Sequence, residues 1–544
     1  MRRRMRIAGA SIALVVGGVG GATAQQAGLA CNVAAIQRAA PEAHIVQAEM
    51  QDTPVRHCRV DGYVLTSNPG PGINNFRLQL PEKSNWKGRF YFVGLGGTAG
   101  YVPTTSQIPG GNPMKAGFAV AGTDTGHLTA KFAGWSFLSD PTMALDHTHR
   151  GAHVTTQAAQ KITRAYYGVE KMWRYHSGCS GGGRMGGEAA MMHPEDYDGI
   201  LLGQSRVGPQ GSIGMMKFIH AAKEMTREPG SWLSPAKLKM VEARVTAACD
   251  MTDGAKDGVI WDSRLCKYDV ARLKCKKGDG PDCLTQPEIT SIKAILDGPR
   301  GPKGDLLQEA MPISNMSTWS MFLGSQPPPW APDNTQGKPS PGTYSIPNTT
   351  ARGLFGPEYD VLRDFDLKNQ AHIDAWTAAA DKTGFHRLPD LTPMEKTGKV
   401  MTWVGSSDPC CSAIGLEKYV KILEAKMGAD RVSNFLALYP IPGQGHCGGG
   451  TGPADAPDRL LSELIAWVEQ GKKPAGVVMH SVDRAKLAFL DRAQTLESGA
   501  VVPPPGGASR EFLVCPYPLK SVFDKTKAKV EGAVFEAANW SCKG

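Results

Sequence analysis

The pentapeptide Gly178-Cys179-Ser180-Gly181-Gly182 constrains this chain more than any other stretch. It lies between a short apolar run, Met172-Trp173-Arg174-Tyr175-His176, and a helix-forming run from Arg184 to Met192. Glycines on both sides of a serine permit a strained strand-to-helix turn that lifts the hydroxyl clear of the backbone. A strand feeding straight into a helix demands a layered α/β architecture. The flanking rhythm agrees. Arg89 to Val93 and Gly117 to Ala121 read as strands, Ala152 to Tyr167 as a helix, Lys399 to Val404 and Asn434 to Tyr439 as further strands, and Arg459 to Gln470 as an amphipathic helix.

About 520 residues after a leader exceed one ordinary core, so a core with a large insertion is expected. Residues 1–24 read as an export signal: Arg2, Arg3, Arg4 and Arg6 precede an apolar, glycine-containing stretch ending in Ala22-Thr23-Ala24. That stretch is too short and glycine-rich for a stable span, and no later segment is apolar for long enough, so no membrane association is expected. Residues 25–206 read as the first part of the core. Residues 207–390 differ in texture, with Pro and Gly clusters such as Gln326-Pro327-Pro328-Pro329-Trp330, four local cysteines and little strand periodicity, and read as an inserted lid domain. Strand patterning resumes across 391–544, the second part of the core.

Without the four leader arginines, 56 basic side chains face 51 acidic ones. That mild balance, with no basic run interleaved with aromatics, gives no reason to expect a nucleic-acid partner. Twelve cysteines in an exported chain point to disulfides and a secreted or periplasmic location. A thiolate zinc site is the weaker reading, because no pair has the two-residue gap of such a site.

Downstream of Ser180, Asp408 and His446 each follow a predicted strand. The order Ser, Asp, His is that of α/β-hydrolases among the triad folds, so the expected architecture is an α/β-hydrolase core with a large inserted lid. A developing oxyanion would need aimed N–H donors. Gly94-Leu95-Gly96-Gly97-Thr98 follows a strand and offers bare backbone; Gly97, with Gly96 as alternative, and Gly181 after the nucleophile are the candidate donors.

Across nearly the whole chain the motifs resemble the tannase and feruloyl esterase family, which includes mono(2-hydroxyethyl) terephthalate hydrolases. The matching text is Gly122-Thr123-Asp124-Thr125-Gly126-His127, Arg150 and His153, Gly178 through Arg184, Pro194-Glu195-Asp196-Tyr197-Asp198-Gly199-Ile200, Asp408-Pro409 and Gly445-His446-Cys447. The resemblance implies a disulfide from Cys179 to Cys447, beside the Ser and the His, and further bridges Cys31–Cys58, Cys249–Cys266, Cys275–Cys283 and Cys515–Cys542. It also implies a structural calcium ion in the lid, on the side chains of Asp250, Asp253 and Asp257 and the carbonyls of Ala255 and Val259. Three carboxylates in eight residues, spaced by glycines, suit a hard cation.

Two departures stand out. Where the family usually has a small Ala-Gly-Ala-Pro segment, this chain has Leu201-Leu202-Gly203-Gln204-Ser205-Arg206. Cys410 and Cys411 remain after five bridges are assigned; they are expected to be oxidised to each other, with two buried thiols or bonds to other cysteines as alternatives. The expected activity is a serine carboxylic ester hydrolase acting through an acyl-enzyme on small esters of aromatic acids, of feruloyl, galloyl or terephthaloyl monoester type. Trp319 and Phe322 are candidate substrate walls, with a place in the lid core as the equal alternative for Trp319. A serine peptidase on the same scaffold and a non-catalytic binding protein are the alternatives, and the oligomeric state is left open.

Overall fold

The computed structural model describes residues 28–103, 113–205, 215–332, 340–384, 390–481 and 510–544. The predicted leader, 1–24, lies outside the described residues.

Nine strands form the central sheet: β1 (Ala43–Gln51), β2 (His57–Thr66), β3 (Gly72–Pro81), β4 (Arg89–Gly94), β5 (Phe118–Thr123), β6 (Trp173–Cys179), β7 (Gly199–Gly203), β8 (Lys399–Gly405) and β9 (Leu436–Ile441). Their order is β1-β2-β3-β5-β4-β6-β7-β8-β9. From β5 to β9 every neighbouring pair is parallel, while β1, β2, β3 and β5 pair antiparallel. Burial follows this division. Strands β5 and β7 are buried at every residue, as a parallel sheet covered on both faces requires, whereas β2 alternates buried with mostly half-buried positions. The antiparallel strands before Arg89 and the short β7 were not expected from the sequence; tertiary pairing supplies the support that their local pattern lacks.

The helix after β6, Gly181–Met192, is rich in glycine because it lies hard against the sheet. A Cβ at Gly182 would collide with the Gly94 carbonyl, and one at Gly183 with the carbonyl of Gly203. Close approach, not conformational freedom, demands glycine there.

Between β7 and β8 the described residues contribute no strand to the central sheet, and this stretch is mainly helical: Met216–Thr226, Pro235–Cys249, Gln286–Asp297, Gly342–Phe355 and Gln370–Thr383 are its longer helices. It shares one apolar core with the sheet: Phe218, Leu238, Ile292 and Trp319 lie in the same buried cluster as Phe92, Leu202 and Val404. The C-terminal tail folds as two hairpin-like pairs, Val477–Ser481 with Arg510–Val514 and Lys520–Phe523 with Trp540–Lys543. Cys515–Cys542 staples it. No helix among the described residues is long and apolar enough to cross a membrane.

Candidate active site

Strand β6 delivers Ser180 into a turn with φ 59° and ψ −115°, a conformation that ordinary residues rarely adopt. Such strain costs about 1–3 kcal/mol and persists only where surroundings enforce it. Here the Ser180 N–H donates to the Gly203 carbonyl at 2.8 Å, and the Arg184 N–H returns to the Ser180 carbonyl at 2.9 Å. The turn is thus pinned to β7 on one side and to its own helix on the other.

Asp408 follows β8 and His446 follows β9, so the parallel order of the sheet places both at the same edge as the serine turn. His446 Nδ1 lies 2.9 Å from Asp408 Oδ2, and both residues are buried. The other carboxylate oxygen accepts the Cys410 N–H at 2.6 Å, which fixes the plane of the carboxylate. The disulfide Cys179–Cys447 bonds the residue before Ser180 to the residue after His446.

Gly181 packs on the Gly96-Gly97 backbone: a Cβ at Gly181 would stand 2.5 Å from the Gly97 carbonyl oxygen. The two candidate oxyanion donors therefore lie side by side. Gly97 has φ +59°, and the loop that carries it is tied to the segment after β5, where Thr129 donates its N–H to the Gly100 carbonyl at 2.9 Å and its hydroxyl to Ala99 at 2.5 Å. The Gly122–His127 motif leads into that segment.

Sequence reasoning did not single out Gln204. It is fully buried, takes φ 44°, and its side chain joins the end of β7 to the histidine loop. Its Oε1 accepts the Cys447 N–H at 2.6 Å and its Nε2 donates to the Gly445 carbonyl at 2.8 Å. The only signal was its place in the segment that departs from the family pattern.

Two expectations are corrected. Cys410 and Cys411 are not bonded to each other: they are two buried thiols with sulfurs 3.7 Å apart. The Cys411 thiol donates instead to the Gln204 carbonyl at 2.9 Å, and the Cys410 N–H is committed to Asp408, so the turn closes without the distorted peptide that a ring of adjacent cysteines needs. Trp319 is not a substrate wall. It has no exposed surface, lies in the main core and donates its indole N–H to the Pro312 carbonyl at 3.1 Å. Phe322 does stand at the site, with its ring edge-on to His446 at 5.1 Å. All five other disulfides occur as expected.

In the 250–259 loop, Asp250 Oδ1 accepts the N–H groups of Asp257 and Gly258, Asp253 accepts that of Ala255, and Asp257 accepts that of Val259. Burial first, then the neighbouring charges of Asp257 and Asp250, push the Asp253 carboxyl up to about 7. Arg510, from the tail, pairs with Asp257. The donor set is chemically that of a hard cation, and a bound cation would relieve the crowding of charge on Asp253. The carboxylates here turn to N–H groups of their own loop; among the described residues, the clusters whose ligand atoms already lie within 4.8 Å of one another are elsewhere, at Cys410, Cys411 and His446 and at His153, His193 and Glu195.

A cleft of about 1090 Å³ reaches the far side of this site, lined by Asp408, Cys411 and Ser412 on the core, Asp253 and Glu309 on the insertion, and Tyr517 on the tail.

Comparison with known proteins agrees with this architecture. The tannase and feruloyl esterase family matches residues 58–542. The probable feruloyl esterase B-2 of Aspergillus terreus is 29% identical over 441 residues, covering 77% of this chain and 78% of that protein. Feruloyl esterase B of Aspergillus niger is 27% identical over 412 residues, covering 72% and 74%. Among solved structures, an esterase from Aspergillus oryzae superposes with a TM-score of 0.73 at 23% identity over 92% of this chain and 97% of that one. The tannin acyl hydrolase from Aspergillus niger gives 0.69 at 17% identity over 95% and 96%. With a family match that spans most of the sequence and an α/β-hydrolase-type fold beneath it, this chain belongs to the tannase and feruloyl esterase family and is a carboxylic ester hydrolase.

Proposed function

We propose that the protein is an exported serine esterase that cleaves esters of aromatic acids through an acyl-enzyme. The observation that carries this reading is the buried His446–Asp408 pair, tied by Cys179–Cys447 to a serine held in a strained turn. With Nδ1 engaged by Asp408, the other ring nitrogen of His446 is the one left to take the Ser180 proton. Ser180 Oγ then bonds to the ester carbonyl carbon, and the carbonyl oxygen gains the negative charge that the Gly97 and Gly181 N–H groups accept. His446 returns the proton to the departing alcohol as the ester C–O bond breaks. Water, deprotonated by the same imidazole, releases the acid and restores the serine.

The aromatic acid is supported by the similarity to feruloyl esterases and a tannin acyl hydrolase, and by the Phe322 ring beside His446. Export is supported by the charged and apolar first 24 residues and by five disulfides. Calcium, held by Asp250, Asp253 and Asp257 with the Ala255 and Val259 carbonyls, would serve as a structural clamp between the insertion and the tail strand that carries Arg510; it supplies charge neutralisation and no step of the reaction. A panel of methyl ferulate, methyl gallate and a terephthalate monoester, set against a short aliphatic ester and a peptide amide, tests the substrate class. Aromatic esters should lead in kcat/KM by at least about tenfold, which corresponds to about 1.4 kcal/mol of extra transition-state binding. Equal turnover of the aliphatic ester would remove the aromatic assignment.

A further inference from the structure

Two cysteine thiols sit beside the candidate triad and the reaction just described uses neither. Cys410 and Cys411 are 6% and 5% exposed, with sulfurs 3.7 Å apart, and a ring nitrogen of His446 lies within 4.8 Å of both sulfurs. Thiolates bound at about 2.3 Å to one tetrahedral zinc stand roughly 3.8 Å apart, so the sulfurs already have the spacing of two ligands on one ion. Imidazole nitrogen is the usual companion of thiolate in such sites, and the set is soft, in contrast to the all-oxygen loop at Asp250–Val259. Access exists as well: the 1090 Å³ cleft is lined by Cys411 and Asp408.

We propose that Cys410, Cys411 and His446 form an inhibitory site for a thiophilic metal ion of the zinc and cadmium class. On binding, each thiol gives its proton to solvent, two metal–sulfur bonds and one metal–nitrogen bond replace bonds from the ion to water, and no electrons are transferred. Inhibition follows from which imidazole nitrogen is taken. Nδ1 is the partner of Asp408 at 2.9 Å, and the other nitrogen is the one that must receive the serine proton. An ion on either one disables the general base. Cys410 holds Asp408 through its backbone N–H, which alanine also supplies, whereas replacing Cys411 removes a thiol bond to the Gln204 carbonyl, so each variant is compared with its own metal-free rate.

This inhibition rests on the reading of His446 as the general base, whereas metal binding does not, and the experiment separates the two. Cadmium is titrated, with calcium present, into full-length Ser180→Ala protein while the ultraviolet sulfur-to-cadmium charge-transfer absorption is followed. The absorption should saturate at one ion per chain. Over the same concentrations the unsubstituted enzyme should lose at least about 90% of its turnover, and calcium-loaded EDTA should restore it. Cys410→Ala with Cys411→Ala should show neither absorption nor inhibition relative to its own metal-free rate. Should that pair fold poorly, Cys411→Ser alone should give about half the absorption and at least tenfold weaker inhibition. Absence of the absorption in Ser180→Ala, or its survival in the double variant, overturns the site. Full absorption with undiminished turnover overturns the role of His446 in it.

Discussion

Cys179 and Cys447 are bonded to each other, and each is the immediate chain neighbour of one residue of the proposed triad, Ser180 and His446. The bridge spans 268 positions of sequence, so it constrains the unfolded chain strongly and also ties the serine turn to the histidine loop. Replacing both cysteines by Ala should lower stability by a few kcal/mol. It should also reduce kcat by about a hundredfold, since misplacement by about 1 Å carries a penalty of that order. Thermal unfolding and kcat on one ester check both parts; a variant that loses only melting temperature would show that the bridge has no part in placing the histidine.

Gln204 braces the same loop from the β7 side. Gln204→Ala leaves the Cys447 N–H without its acceptor and the buried Gly445 carbonyl without its donor, and the carbonyl left unmet costs about 1–3 kcal/mol. Turnover should fall about tenfold or more with KM little changed, because the loop positions the base and not the substrate. Gln204→Glu keeps the acceptor and faces a carboxylate to a carbonyl, so it should fare no better. A rise in KM at constant kcat would place Gln204 in substrate binding.

Acid should destabilise the protein through histidines buried without charge. His176 is fully buried, neither ring nitrogen has a hydrogen-bond partner, and burial pushes it down to about 3. Burial, with the Arg184 guanidinium as a smaller cause, pushes His127 down to about 4. A lowered histidine binds its proton more readily when unfolded. Its contribution is therefore intact above pH ~6.5 and is lost as pH falls from there toward the folded value. Asp124, pushed up to about 6 by burial, and Asp253, pushed up to about 7 where no cation holds it, oppose the trend, while His193, pushed down to about 4, and His147, also lowered by burial, add to it. Melting temperature should drop steadily between pH 6.5 and 4, and His176→Leu should flatten that slope; an unchanged slope would shift the cause to other groups.

Calcium removal is a separate matter from chemistry. Chelation should lower the melting temperature while initial turnover at 25 °C stays within about twofold, since ligand that binds only the folded state stabilises by mass action. Asp253→Asn should lose the response to chelator. Metal analysis that finds no calcium in protein purified without chelator would remove the ion from the account.

Much of this site was readable in the sequence because its parts are local. The serine turn announces itself through glycines within two residues, and Asp408 and His446 follow strands whose apolar runs are recognisable. The five cysteine pairs came from the family resemblance and not from local pattern, since Cys179 and Cys447 stand 268 positions apart. What escaped depends on tertiary placement. The antiparallel strands β1 to β3 have no sharp turn signature, and Gln204 matters only because β7 ends beside the histidine loop. Trp319 looked like a pocket aromatic because sequence gives residue type and not direction. The adjacent cysteines invited a ring, whereas the Gln204 carbonyl and the Asp408 carboxylate offered their turn better partners.

In the proposed reaction Ser180 attacks the ester. Incubating the protein with an aromatic phosphonate and mapping the adduct by mass spectrometry, alongside kcat/KM for Ser180→Ala, tests it most directly. One adduct per chain on Ser180 is expected, with a loss of at least about a thousandfold in the variant, since removal of a triad nucleophile leaves only binding and the oxyanion donors. An adduct on another residue, or a variant that keeps more than about a tenth of the activity, would contradict it.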